Sequence, residues 1–249
     1  MTLLAVERLG KAFGGVHAVG DVSFAVAPGE MLALIGPNGA GKSTCFNMIG
    51  GQLRPDSGRV RLGDADITGL APRAICRRGV GRTFQITATF TSMTVRENVQ
   101  IALLAAARRT WGVWRPARDQ RRAEAEAEAL LERVGLAPQA ERGAGVLAYG
   151  DLKRLELAIA LASQPRLLLM DEPTAGMASG ERTALMTLTR QLATADGVGV
   201  LFTEHDMDVV FGVADRIIVL NRGELIAEGP PAAIRADPIV RAVYLGGAA

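Results

Sequence analysis

The sequence contains few of the residues that build disulfide frameworks or zinc sites. Its 249 residues include two cysteines, Cys45 and Cys76, and two histidines, His17 and His205. There is no CxxC pair and no cluster of histidines, so neither kind of framework is indicated. We expect both thiols to be reduced and to pack as small apolar side chains.

Long apolar runs and an excess of charge are also missing. The longest apolar stretches, such as 101–107, fall far below the roughly 18 to 20 residues that a membrane span requires. The 28 basic and 26 acidic residues give a net charge of +2, and no basic run is long enough to follow a nucleic acid. With 49% hydrophobic residues, the composition indicates a folded globular protein without a nucleic-acid partner.

Short apolar runs alternate along the chain with longer helical patterns, which is typical of an α/β fold with a mainly parallel sheet. Four runs are almost wholly apolar, as expected for central strands that are covered on both faces. These are residues 31–35, 167–170, 199–202 and 217–220. Three runs with more alternation predict an antiparallel layer near the N-terminus, at residues 3–9, 22–26 and 58–62.

Strand signals disappear between residues 89 and 165. Thr94 and Glu97 have the spacing of a capping box and predict a helix that continues to about Ala107. Residues 121–135 predict a second helix, with its charged residues on a solvated face. Its apolar stripe consists of Ala123, Ala127, Leu130, Leu131 and Val134.

The sequence GPNGAGKST at 36–44 matches the phosphate-binding pattern GxxxxGK[ST], between a predicted strand and a predicted helix. Its glycines allow backbone N–H groups to approach phosphate oxygens, and the helix N-terminus adds positive charge. We expect Lys42 to contact the β- and γ-phosphates and Ser43 to bind Mg²⁺. The alternative is a glycine-rich turn without a ligand. The predicted nucleotide contacts are Gly36, Pro37, Asn38, Gly39, Ala40, Gly41, Lys42, Ser43 and Thr44.

Two adjacent carboxylates follow the apolar run at 167–170. Asp171 is expected to order the Mg²⁺ shell, and Glu172 to polarise a water for attack on the γ-phosphate. His205 follows another apolar run and should therefore lie at the same carboxyl edge of the sheet, where it can donate to the γ-phosphate. An exposed strand end without chemistry is the alternative for the two carboxylates.

Taken in order, these motifs resemble the nucleotide-binding subunit of ABC transporters. The resemblance is carried by the loop at 36–44, Gln85 in GRTFQ, LAYGD at 147–151, LLLMDEP at 167–173 and His205 in TEHD. It covers essentially the whole chain. It implies a RecA-like P-loop NTPase core with a mixed sheet, an N-terminal antiparallel β layer and an inserted helical subdomain. The expected organisation is one domain over 1–249, with the core at about 1–88 and 166–249 and the helical subdomain at about 89–165.

The resemblance also implies roles for individual residues. Phe13 occupies the place of the aromatic that stacks on adenine, and Gln85 that of the loop joining the metal, the attacking water and the membrane subunit. Tyr149 and Gly150 correspond to the signature turn, which contacts the ATP bound by an opposing subunit. The implied protein is a Mg²⁺-dependent ATPase in which Glu172, His205 and Gln85 are catalytic and Ser43, Gln85 and Asp171 surround the metal.

The implied partners follow from the same resemblance. A second ATP-binding subunit, either the same chain or a paralogue, would form a head-to-tail dimer with this one. Transmembrane permease subunits would hold the dimer at the cytoplasmic face of the inner membrane, and a periplasmic binding protein would act indirectly.

Within the family, the LAYG signature and the C-terminal tail look most like subunits for uptake of branched-chain amino acids or related amides such as urea. A similar VYLG ending occurs in the ATPase of lipopolysaccharide export, so an exporter stays open. The chain departs from the family pattern at Ala148, Asp151 and Ala178. These departures also leave open a nucleotide-gated regulatory module with little turnover. A carboxylate at Asp151 should need a cation such as Lys153 or Arg154 to offset it.

Overall fold

The fold is described from a computed structural model, over residues 1–83, 89–107 and 117–243. The strands are β1 (Leu4–Phe13), β2 (Val16–Val26), β3 (Met31–Ile35), β4 (Ser57–Leu62), β5 (Ala65–Asp66), β6 (Val80–Thr83), β7 (Leu167–Asp171), β8 (Gly199–Thr203), β9 (Arg216–Asn221) and β10 (Glu224–Gly229). The helices are α1 (Lys42–Ile49), α2 (Pro72–Cys76), α3 (Val95–Ala106), α4 (Ala117–Arg133), α5 (Tyr149–Leu161), α6 (Ser179–Asp196), α7 (Met207–Val213), α8 (Pro231–Ala236) and α9 (Pro238–Val243).

The main sheet has six strands in the order β10-β9-β3-β8-β7-β6. All neighbours are parallel except β10, which runs antiparallel to β9. The four predicted apolar runs are β3, β7, β8 and β9, and they are the four inner strands, so this prediction is confirmed. Strands β3, β7 and β8 are buried at every position, because both faces of the sheet are covered.

A second, antiparallel sheet has the order β2-β1-β4-β5. Its side chains share one apolar core with α1 and one face of the main sheet, whereas helices α3 to α7 pack on the other face. The predicted N-terminal layer is confirmed, but its first two strands are longer than predicted. Register shifts between Val6 and Leu9, and again before Ala12, interrupt the alternation that the sequence prediction followed.

Helices α3 and α4 confirm the two helices predicted between residues 89 and 165. Thr94 caps α3 through a complete capping box: its Oγ1 accepts from the Glu97 N–H at 3.1 Å, and the Glu97 carboxylate accepts from the Thr94 N–H at 2.7 Å. The predicted apolar stripe of α4 is buried throughout. In the described part of this segment the chain forms no strand, only an isolated bridge between Thr94 and Gly143.

The two thiols have different environments. Cys45 is fully buried in α1, and burial raises its pKa to about 12. Cys76 is exposed, so the prediction of an apolar packing role is confirmed for Cys45 and wrong for Cys76. Only Ile75 is buried in the five-residue helix α2, which leaves the neighbouring Cys76 facing outward. Among the described helices, none has the length and apolar content to cross a membrane.

Candidate nucleotide-binding site

The glycine-rich segment at 36–41 connects the buried strand β3 to helix α1. Gly39 and Gly41 have φ angles of 80° and 103°, in the left-handed region that side chains disfavour. A Cβ atom on Gly41 would also collide with the carbonyl oxygen of Ala18. The backbone therefore takes a path that glycine permits, and it leads directly into the N-terminus of α1, where anions are favoured.

Lys42 is the first residue of α1, and its side chain curls back over the loop. Its Nζ donates to the carbonyl oxygens of Gly36 at 2.7 Å and Pro37 at 3.1 Å. Burial lowers the pKa of Lys42, and the nearby carboxylates of Glu172 and Asp171 act in the opposite direction. The structure thus places one cation between the loop and the two predicted acidic residues, as a phosphate-binding lysine requires.

Asp171 ends β7 and is held from both sides. Its Oδ1 accepts from the hydroxyl of Thr203 at 2.8 Å, and its Oδ2 lies 3.6 Å from the guanidinium of Arg82. Arg82 also donates to Asn47 of α1 at 3.0 Å, so it joins α1, β6 and β7. Neither Arg82 nor Thr203 is recognised from the sequence alone. The only sequence features that mark them are the position of Arg82 three residues before Gln85 in GRTFQ and the position of Thr203 directly after an apolar run.

Glu172 and His205 meet at the carboxyl edge of the sheet, as their positions after two apolar runs predict. The Nε2 of His205 lies 2.8 Å from Oε1 of Glu172, and because an ionised carboxylate only accepts, the ring nitrogen donates. Glu172 has a φ of 49°, unusual for a residue with a side chain. Its N–H is held by Thr203, through the carbonyl oxygen at 3.2 Å and the hydroxyl at 3.0 Å.

The signature residues lie at the start of α5. The Tyr149 hydroxyl donates to the carbonyl oxygen of Ala175 at 3.0 Å, and its ring is partly exposed. Asp151 accepts from the amide of Gln139 at 2.5 Å. Lys153 instead forms a buried ion pair with Glu156 at 3.0 Å. Of the two cations suggested to offset the charge of Asp151, Lys153 or Arg154, Lys153 is thus paired with a different carboxylate on the same helix. Gly150, in the first turn, is buried.

The last two predicted site residues are Phe13 and Gln85, of which the structure describes only Phe13. Phe13 ends β1 beside the turn at Gly14 and Gly15, and 49% of its surface is exposed, with the Lys11 ammonium 5.7 Å from the ring centroid. An exposed ring of this kind can stack on a base. Gln85 lies outside the described residues.

The side chains predicted to surround Mg²⁺ can be compared with the ligands that this ion requires. Among the described residues, no group of three or more histidine, cysteine or acidic side chains is arranged to hold a metal ion. Of the predicted ligands Ser43, Gln85 and Asp171, the two within the described residues, Ser43 and Asp171, supply one hydroxyl and one carboxylate. This small, all-oxygen set fits Mg²⁺, which is usually bound by one or two protein groups together with phosphate oxygens and water.

A family model described as ABC transporter matches residues 19–175, more than half of the chain. The chain belongs to the ABC transporter family. A second model, described as branched-chain amino acid ATP-binding cassette transporter, matches residues 224–249 of this ABC subunit, of which 244–249 lie outside the described residues.

Curated relatives match the ABC subunit over almost its whole length. The high-affinity branched-chain amino acid transport ATP-binding proteins LivG of Escherichia coli K12 and BraF of Pseudomonas aeruginosa are each 41% identical to it, over 98% of both chains. The lipopolysaccharide export system ATP-binding protein LptB of Acidithiobacillus ferridurans is 37% identical, over 98% of this chain and 97% of its own.

Solved structures agree with the fold described above. The ADP conformation of MJ1267, an ATP-binding cassette of an ABC transporter, superposes with a TM-score of 0.87 at 33% identity and 99% coverage of both chains. The dimeric, post-hydrolysis cassette MJ0796, bound to ADP and phosphate, gives a TM-score of 0.75 at 26% identity, over 92% of this chain and 98% of that one. The predicted RecA-like P-loop class is confirmed.

Proposed function

We propose that this ABC subunit hydrolyses ATP with Mg²⁺ and so powers the uptake of branched-chain amino acids or related amides. The contact between Glu172 and His205 carries the hydrolytic part of the proposal, since a general base needs an oriented carboxylate beside the nucleotide. The substrate class rests on the relatives LivG and BraF and on the matching C-terminal segment.

Each side chain has a distinct part in the proposed reaction. Lys42 neutralises the β- and γ-phosphates, and the N-terminus of α1 adds its dipole. Glu172 accepts the proton of the attacking water. The Nε2 of His205 orients the Glu172 carboxylate before ATP binds, and it would donate toward the γ-phosphate once nucleotide is present. Ser43 and Asp171 would hold Mg²⁺, with Gln85 as the third predicted contact. When bound, Mg²⁺ would supply positive charge that offsets the negative charge developing on the phosphate.

We also propose that two cassettes pair head to tail. The dimeric cassette MJ0796 supports the pairing of two cassettes, and the head-to-tail orientation rests on the resemblance described above. In this arrangement Tyr149 and Gly150 of one subunit reach the nucleotide held by the phosphate loop and Phe13 of the other. The chain divides into a core at about 1–88 and 166–249 and a helical subdomain at about 89–165. Permease subunits would bind the dimer at the cytoplasmic face of the membrane, with a periplasmic binding protein acting indirectly.

Reconstitution tests this function. The purified subunit, assembled with its permease subunits in proteoliposomes, is expected to drive ATP-dependent accumulation of radiolabelled leucine, and a Glu172→Gln subunit should not. ATP turnover without uptake of leucine or urea would exclude the proposed substrate class. Given the similarity to LptB, ATP-driven extraction of a lipid would then identify an exporter. Absence of turnover in the full assembly would identify a regulatory module.

A further inference from the structure

Glu204 is a buried carboxylate that the roles above do not use. It lies between Thr203, the last residue of β8, and His205, and only 4% of its surface is exposed. Burying a carboxylate is costly unless hydrogen bonds compensate it. Among the described residues, hydrogen-bond donors compensate the burial of Glu204, and no cation forms an ion pair with it.

The hydrogen bonds of Glu204 lead to the loop that follows Glu172. One carboxylate oxygen, Oε1, accepts from both the N–H and the hydroxyl of Thr174, at 2.9 and 2.6 Å. The other, Oε2, accepts from the N–H of His205 at 3.3 Å. Thr174 is itself 1% exposed, so these bonds form away from competing water.

These contacts close a ring around the reacting groups. The chain runs from Glu172 through Pro173 to Thr174, crosses to Glu204, continues to His205 and returns to Glu172 through the 2.8 Å contact. The ring joins the ends of β7 and β8. Glu172 sits in a left-handed backbone conformation, which persists only where its surroundings hold it.

We propose that Glu204 is a positioning residue for ATP hydrolysis, which fixes the loop after Glu172 to the strand end that carries His205. Glu204 touches no reacting atom. It acts by holding the Glu172 carboxylate and the His205 ring at hydrogen-bonding distance. The proposal rests on the proposed ATPase function, and its test has one arm that does not need turnover.

The first arm separates kcat from nucleotide binding. Glu204→Ala leaves the two Thr174 donors unpaired, and kcat should fall by about tenfold to a hundredfold, because small misplacements of reacting groups cost rates of this size. Nucleotide affinity of the isolated subunit should stay within about twofold, since the hydrogen bonds of Glu204 go to Thr174 and His205 and not to the phosphate loop. Glu204→Gln keeps an oxygen for Thr174 and should stay within about threefold of the parent kcat.

Thr174→Val and Thr189→Val form a matched pair. Each removes one buried hydroxyl with one hydrogen bond, to Glu204 in the first case and to the Leu185 carbonyl oxygen within α6 in the second. Thr174→Val should lower kcat, whereas Thr189→Val should not. An unchanged kcat in both Glu204→Ala and Thr174→Val would overturn the proposal. So would equal losses of kcat, affinity and thermal stability without rescue by Glu204→Gln.

The second arm measures the environment of the His205 ring by NMR. The chain has two histidines, so ¹⁵N-histidine labelling gives two ring systems, and His17→Gln assigns them. In Glu204→Ala the ¹⁵N chemical shifts of the His205 ring should move toward the values found in the Glu172→Ala variant. The Thr189→Val variant should show the parental shifts. Unchanged His205 shifts in folded Glu204→Ala would overturn the proposal. If the parent assembly shows no turnover, the ATPase function fails, and this arm still decides the role of Glu204.

Discussion

The Nε2 of His205 lies 2.8 Å from the Oε1 of Glu172, although the two residues are 33 positions apart in the chain. The contact forms because β7 and β8 are parallel neighbours, with Asp171 opposite Thr203. Both strands therefore end at the same level of the sheet. A histidine that would otherwise be an ordinary exposed side chain becomes a partner of the predicted general base.

Glu172→Gln should lower kcat for ATP hydrolysis by about a hundredfold or more, because an amide cannot accept the proton of the attacking water. Phosphate release by the full assembly measures the effect. Glu132→Gln, on the exposed side of α4, is the matched control and should leave kcat unchanged.

The same variant should form stable dimers with ATP, because nucleotide bound between two subunits is not consumed. Light scattering with and without ATP measures this. A Glu172→Gln protein that stays monomeric at saturating ATP would contradict the head-to-tail arrangement, and parental turnover in this variant would remove Glu172 from its role.

Lys42→Ala should weaken nucleotide binding by roughly tenfold to a hundredfold, the loss expected for a charge-assisted contact with phosphate. Fluorescent ATP titrations of the isolated subunit measure this affinity. Arg133→Ala removes a cation that pairs with Asp196, and its affinity should match the parent. Equal affinities of Lys42→Ala and the parent would show that the loop does not hold phosphate through this lysine.

The two thiols should react at very different rates. Burial raises the pKa of Cys45 to about 12 and also blocks access, whereas Cys76 is exposed. Titration with a disulfide reagent at pH 8 should count one thiol in the native subunit and two after unfolding in denaturant. Cys76→Ser should abolish the fast native reaction, and a fast thiol that persists in this variant would contradict the burial of Cys45.

Asp206 should contribute a pH-dependent part of the stability. It caps α7, and its pKa is lowered, first by the hydrogen bond from Arg182 at 2.8 Å. A carboxyl that is more acidic when folded stabilises fully above its unfolded pKa, near 3.8, and loses this contribution as the pH falls through the folded pKa.

Asp206→Asn keeps a capping oxygen and removes the charge. At pH 7 this variant should be less stable than the parent by about 0.2–1 kcal/mol, the range for exposed ion pairs. Denaturant unfolding at pH 7, 5 and 3 should show the difference shrinking toward the lowest pH. A difference that is constant over this range would exclude the charge as its origin.

The inner strands of the main sheet are predictable because both faces are covered, so the apolar runs are continuous. The predicted run 167–170 becomes Leu167–Asp171 and the run 199–202 becomes Gly199–Thr203, one polar residue longer in each case. Strands β6 and β10 are not predicted. They lie at the two edges of the sheet, where sequences such as VGRT and ELIAEG need not be apolar.

In the site, the motif residues are predictable and the residues that hold them are not. Lys42, Asp171 and Glu172 belong to local patterns with known chemistry. Arg82, Thr203 and Glu204 act through partners far away in sequence, and those partners are defined only when the parallel strands are in register. The only local signal for Glu204 is its position just after the apolar run 199–202 and next to His205.

The position of β3 in the main sheet determines when during synthesis the phosphate loop can reach its folded position. The strand that leads into the phosphate loop pairs on one side with β8 and on the other with β9, where Met31 faces Val200 and Leu32 faces Arg216. On the ribosome, residues 31–35 have neither neighbour until most of the chain has been synthesised. The nucleotide site should therefore appear late in synthesis, and a nascent chain truncated before residue 199 should not retain ATP.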